Sequence, residues 1–325
     1  MYIMKQYDDA MRQIYDQGFD IDGDRTGVGT RCKFGISTEY DISEHVPIMT
    51  YREVSYKAII KEVLWYISGS HSIQELEDSG CGIWTPWKSE EFTKKHKLPE
   101  GSGGYIYGFN LIHFGAKIND VETFKHAVKT ARDPRFSKQH CDDVEQNLRN
   151  YFNEHKMLGF NQLDYVINTL KANPKSRQAC FTFWRPDTNS QAVLPACHAM
   201  YSFIVSPNEK GEMKVLNCHM FQRSCDWFIG VGHGNLWTAT LFTYMIAQQL
   251  GMTPGKIYHS GAHCHLYANL FDNVEEYLRR VDEEKCYDSP KLVLNPRDSI
   301  YDYTIDDFVV TDYKAHPKMK VTVAV

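Results

Sequence analysis

The sequence predicts an α+β protein built as one domain, and three observations carry that reading. Runs rich in aromatic and β-branched residues crowd the middle of the chain, at 181–184, 201–205, 215–221 and 257–267, which is the composition of a sheet. Residues 56–68 and 163–170 repeat apolar side chains at helical spacing, and 236–250 is apolar on nearly every side. At 325 residues the chain can bury a large core.

In chain order, Ile60, Val63, Leu64 and Ile67 share one helix face, and Gly69 supplies a stop. Glu62 lies between Ile59 and Tyr66 on the flank of that stripe, so its carboxylate is expected to point inward, where a charge needs a partner or a purpose. Leu163, Val166, Ile167 and Leu170 form a second stripe, ended by Asn173-Pro174. The helix over 236–250 is expected to lie buried against the sheet, with Gly251 closing it. Two stretches break the pattern: 88–104, rich in Lys, Glu and Gly, and 121–156, dense in charge with weak helical periodicity. They read as a solvated, variable insert at about 88–160 inside a single domain spanning 1–325.

Composition narrows the function. Nine cysteines without CxxC spacing argue against a disulfide framework and a structural zinc, so no metal is expected. No apolar run approaches the roughly 20 residues that span a bilayer, and the first residues lack the layout of a secretory signal, which points to the cytoplasm and away from membranes. A formal charge of -5 argues against a nucleic-acid surface while leaving room for a pocket that takes one small anion.

The chemistry concentrates in Leu194-Pro195-Ala196-Cys197-His198 and Gln222-Arg223-Ser224-Cys225-Asp226. A thiol is a nucleophile as thiolate, and a nearby guanidinium both favours that anion and grips phosphate. The other eight cysteines, Cys225 among them, read as inert buried thiols. A cysteine hydrolase using Cys197 and His198 is disfavoured, because neighbours on a strand point to opposite faces. Asn235 precedes the 236–250 helix and also reads as its N-cap. His219, His233 and His259 read as structural histidines.

These segments resemble the thymidylate synthase family. The resemblance runs over nearly the whole chain, through Asp24-Arg25-Thr26-Gly27, Glu62, Ile83-Trp84-Thr85-Pro86-Trp87, Tyr107-Gly108, Ser176-Arg177, Cys197-His198, Arg223-Ser224-Cys225-Asp226, Asn235, His265-Leu266-Tyr267 and Val323-Ala324-Val325. It implies the family fold, a large mixed sheet packed on buried helices with a small-lobe insert. It also implies a homodimer acting on a pyrimidine deoxynucleoside monophosphate, with 5,10-methylenetetrahydrofolate as co-substrate.

By the same resemblance Cys197 attacks C6 of the base, and C5 then takes the folate-borne carbon. Arg25, Arg223 and Ser224 clamp the phosphate, with Arg177 reaching in from the partner subunit. Glu62, Tyr107 and His198 serve the chemistry, Asn235 reads the base, and His265 with Tyr267 hold the ribose. Trp84, Trp87, Asp226 and Val325 face the folate. An asparagine amide matches the N3–H and O4 pair of uracil. The chain departs from the family pattern at Gln178, where a second arginine is usual, at Tyr51, where many relatives carry a lysine, and at Gly232-His233-Gly234, one residue longer than the usual segment. It departs again at Ala262-His263, and Trp184-Arg185-Pro186 resembles the Arg-Pro of phage deoxycytidylate hydroxymethylases. These departures favour conversion of dUMP to 5-hydroxymethyl-dUMP. Thymidylate synthesis is the alternative, followed by a dCMP hydroxymethylase or an inactive binding homologue.

Overall fold

The structure, a computed structural model, describes residues 1–23 and 26–324. An N-terminal helix α1 (Lys5–Gln17) leads into β1 (Phe19–Ile21) and β2 (Thr30–Asp41). The predicted core helix is α2 (Tyr56–Ile67), and Gly69 at φ 71° ends it in a left-handed turn. Short helices α3 (Ile73–Asp78), α4 (Glu90–His96) and α5 (Tyr107–Ile112) follow.

The charged stretch after them is more ordered than its periodicity suggested. It forms α6 (Ile118–Ala131) and α7 (Lys138–Glu154), joined by a small cluster of Phe124, Phe152 and Leu158. The buried positions, Ile118, Val121 and Phe124 on α6 and Cys141 and Phe152 on α7, are set among charged and polar residues that mask the stripe in the sequence. The second predicted stripe is α8 (Gln162–Ala172), with Leu163, Val166 and Leu170 buried.

β3 (Cys180–Thr182), β4 (His198–Pro207), β5 (Met213–Asp226) and β6 (Thr253–Tyr267) complete a sheet ordered β1-β2-β6-β5-β4-β3 among the described residues. Only its β5–β6 pair is parallel, so the sheet is mixed. The crossover between those two strands is α9 (Leu236–Gln249), buried continuously from Leu236 to Ala247 as an all-round apolar helix must be. Amphipathic α10 (Phe271–Glu283) and a β7 (Lys291–Leu294)–β8 (Phe308–Thr311) hairpin finish the fold.

Alternation along the strands sorts the two faces. Tyr201, Phe203 and Val205 on β4, with Leu216, Cys218 and Met220 on β5, point into the core. The opposite face presents Met200, Ile204, Phe221 and Tyr258 to solvent, and Phe34 on β2 is 80 % exposed. No helix is long and apolar enough to cross a membrane among the described residues.

Candidate active site

Cys197 stands just before β4, and the backbone N–H of Arg223 donates to its carbonyl at 2.9 Å, extending the β4–β5 ladder by one rung. The register pairs His198 with Gln222 and then slips before Met200, a bulge beside the nucleophile segment. The predicted attacker and anchor therefore face each other. Arg223 Nη2 lies 3.9 Å from Cys197 Sγ, so a permanent positive charge stands beside the sulfur. Its Nε donates to Ala196 O at 2.9 Å and its Nη2 to Pro195 O at 2.7 Å, while the guanidinium lies 4.9 Å from the centre of the Trp184 ring. One arginine thus fixes the loop that carries the thiol.

Tyr107, at the start of α5, accepts the Cys197 backbone N–H at 2.7 Å, and its buried phenol is pushed well above the usual range by desolvation and by the cysteine sulfur. His198 stacks on Tyr107 at 4.4 Å and its Nδ1 meets Tyr201 Oη at 2.7 Å. Burial lowers its pKa to about 3, so the ring is neutral and sits behind the nucleophile in an aromatic layer. Glu62 is buried as its position on the α2 stripe required, and desolvation raises its pKa. Trp84 Nε1 donates to Glu62 Oε1 at 2.7 Å. Trp84 is only 4 % exposed. Its N–H is committed to the carboxylate. Half-buried Trp87 packs against it at 5.8 Å.

Asp226 ends β5 and accepts the N–H of Ile229 at 2.9 Å, capping the segment that follows, and burial pushes its pKa up to about 6. That segment, Trp227–Asn235, is wound as a π-helix that runs straight into α9. Wide winding of this kind accommodates an extra residue in a helical path. It also corrects the capping expectation: Asn235 is helical, at φ -68° and ψ -38°, and makes no side-chain cap. Its Oδ1 instead accepts from Gln222 Nε2 at 2.8 Å. The glycines around His233 face the core. A Cβ at Gly232 would come 2.8 Å from Met49 Sδ, and one at Gly234 2.9 Å from Ile59 Cδ1. They permit close packing there and do not open space at the base.

On β6, His265 pairs in register with Asp226 and His263 with Ser224. His263 and His265 approach at 3.3 Å between Nδ1 atoms, and Tyr267 meets His265 edge-on at 5.1 Å. Arg177 is exposed in the loop between α8 and β3. Arg25 and Val325 lie outside the described residues. Arg185 pairs with Asp187 at 2.8 Å and lies over Tyr105 and Phe114. Tyr51 is a core residue stacked on His316 at 5.8 Å.

Sequence reasoning passed over Gln222 and read His259 as merely structural. The available signal was parity: Leu216, Cys218 and Met220 are buried at alternate positions of β5, and Gln222 continues their phase as an amide in an apolar row.

Fold and site define a protein that sets a cysteine sulfur against a fixed arginine on one strand pair of a mixed sheet. The family model for thymidylate synthase matches residues 5–325, and the chain belongs to that family. Its chemistry is folate-dependent one-carbon transfer to C5 of a pyrimidine nucleotide, with methylenetetrahydrofolate as co-substrate.

Proposed function

We propose that this protein converts dUMP to 5-hydroxymethyl-dUMP, with water as the final nucleophile and tetrahydrofolate as the second product. Cys197 Sγ bonds to C6, which makes C5 carbanion-like; C5 takes the methylene carbon and loses its proton, and the bond from that carbon to the folate nitrogen breaks, releasing tetrahydrofolate and leaving an exocyclic methylene. Water adds to that methylene, and the S–C6 bond breaks. Arg223, Arg25 and Ser224 hold the phosphate, and Glu62 with Tyr107 manages protons at the base while His198 backs Tyr107. Asn235 reads N3–H and O4, and His265 with Tyr267 orients the ribose. Trp84, Trp87, Asp226 and Val325 serve the folate side.

The observation that carries the hydroxymethyl outcome is His233. Its Nε2 is buried without a hydrogen-bond partner among the described residues, in the segment that leads to Asn235. In this reading that nitrogen holds the water that adds to the methylene. Methyl transfer is the second reading, favoured by Arg185, which pairs with Asp187 and packs over Tyr105 and Phe114. Incubation with dUMP and methylenetetrahydrofolate separates the two. A product heavier by CH2O, without the absorbance rise of dihydrofolate, supports hydroxymethylation; a gain of CH2 with that rise establishes thymidylate synthesis.

The active unit is a homodimer in this reading. Support comes from the apolar sheet face carrying Met200, Ile204, Phe221 and Tyr258, which one chain leaves open. Arg177 of each subunit completes the other's phosphate site, with Gln178 leaving the clamp one charge short.

A further inference from the structure

Gln222 is 1 % exposed and uses its whole amide. Its Nε2 donates to Ser224 O at 3.0 Å and to Asn235 Oδ1 at 2.8 Å, and its Oε1 faces His259 Nε2 at 3.1 Å. Two side-chain amides and an imidazole in a row can usually be turned end for end, since nitrogen and oxygen occupy nearly the same volume. This row cannot, because one end meets a backbone carbonyl, and the oxygen of Ser224 only accepts. The Gln222 atom facing it is therefore nitrogen, which puts Oε1 toward His259 and requires a proton on His259 Nε2. The same orientation makes the Asn235 atom facing Gln222 an oxygen, so the asparagine Nδ2 is its remaining donor.

We infer that His259, acting through Gln222, is a positioning residue that locks the orientation of the Asn235 amide and thereby selects uracil over cytosine. Uracil asks the amide to accept from N3–H and to donate to O4; cytosine asks the reverse of both atoms. Turning Asn235 to suit cytosine would point its Nδ2 at the Gln222 donor, and turning Gln222 to relieve that clash would set its oxygen against Ser224 O. It would also strip His259 Nε2 of its acceptor. The imidazole is 0 % exposed and packs 5.7 Å from Trp227, and its Nδ1 has no partner among the described residues. An orphan Nδ1 lone pair is tolerated in such surroundings more readily than an orphan N–H, which favours the Nε2–H tautomer independently of the amide argument. Burial also lowers the pKa of His259 to about 3, so the ring stays a single-proton donor throughout the working range.

This inference rests on Asn235 reading the base, and the test separates the two. The ratio of kcat/KM for dUMP to that for dCMP is measured for the wild type, His259→Leu and His259→Gln, together with the melting temperature of each. A wild type that favours dUMP, a ratio about 5- to 10-fold lower in His259→Leu, as expected for one lost neutral hydrogen bond, and recovery in His259→Gln support the lock. An unchanged ratio in a folded His259→Leu protein overturns it while leaving Asn235 as reader. A wild type that favours dCMP overturns both. Should His259→Leu not fold, the 15N shifts of His259 in the wild-type protein decide: Nε2 protonation supports the lock, and Nδ1 protonation overturns it.

Discussion

Trp84 Nε1 donates to Glu62 Oε1 across 2.7 Å, with both side chains buried. A carboxylate inside a protein is tuned by the donors that reach it, and this indole opposes the desolvation that raises Glu62. Trp84→Phe keeps the aromatic volume and removes the donor. The pKa of Glu62 is expected to rise further, moving the acid limb of the kcat profile to higher pH and lowering kcat by about 10-fold near neutrality. A pH–rate profile that superimposes on the wild type would detach Glu62 from proton handling.

The exposed apolar sheet face and Arg177 lead to a prediction about assembly. Cys197→Ser and Arg177→Ala homodimers should each be inactive or nearly so, whereas mixing them under conditions of subunit exchange should restore activity through one intact composite site. Exchange demonstrated by mass spectrometry without recovered turnover would place Arg177 outside the partner's site.

His233→Phe removes the buried orphan Nε2. Turnover should continue, and the product mixture should shift from 5-hydroxymethyl-dUMP toward dTMP, read as the rise in dihydrofolate per nucleotide consumed. An unaltered product ratio would mean that the water is held elsewhere.

Asp8 offers a pH test remote from the chemistry. It accepts hydrogen bonds from Tyr2 Oη at 2.6 Å and Tyr277 Oη at 2.7 Å, yet burial raises its pKa from 3.8 to about 7. Because the folded chain holds this proton more tightly than the unfolded chain, the resulting stability is present below about pH 4 and is lost as pH rises to about 7. Asp8→Asn should flatten that part of the stability profile by about 1–3 kcal/mol between pH 5 and 8 in denaturant titrations. An equally steep mutant profile would assign the dependence to other groups.

The elements legible in the sequence were those whose burial pattern is strong. α2, α8 and α9 appear where apolar spacing put them, and β4, β5 and β6 contain the aromatic and β-branched runs. α6 and α7 were faint because the apolar side chains of their shared cluster, Phe124, Phe152 and Leu158 with partly buried Val128, Leu148 and Met157, are set among many charged residues. Glu62 was legible because a charge beside an apolar stripe is conspicuous, but its partner Trp84 lies across a tertiary contact that no spacing encodes. The π-helical path to Asn235 left a trace only as an unusual segment length. The Gln222–His259 contact joins two strands through their buried face and depends on register, which the linear sequence does not display.

The central claim is that Cys197 opens the reaction by bonding to C6, which labilises the hydrogen at C5. Release of tritium from [5-3H]dUMP in the presence of methylenetetrahydrofolate reports that event whether the product is methyl or hydroxymethyl. Wild type and Cys225→Ser should release tritium in step with nucleotide consumption, and folded Cys197→Ser should release none above background. Comparable release by Cys197→Ser would contradict covalent catalysis by this thiol.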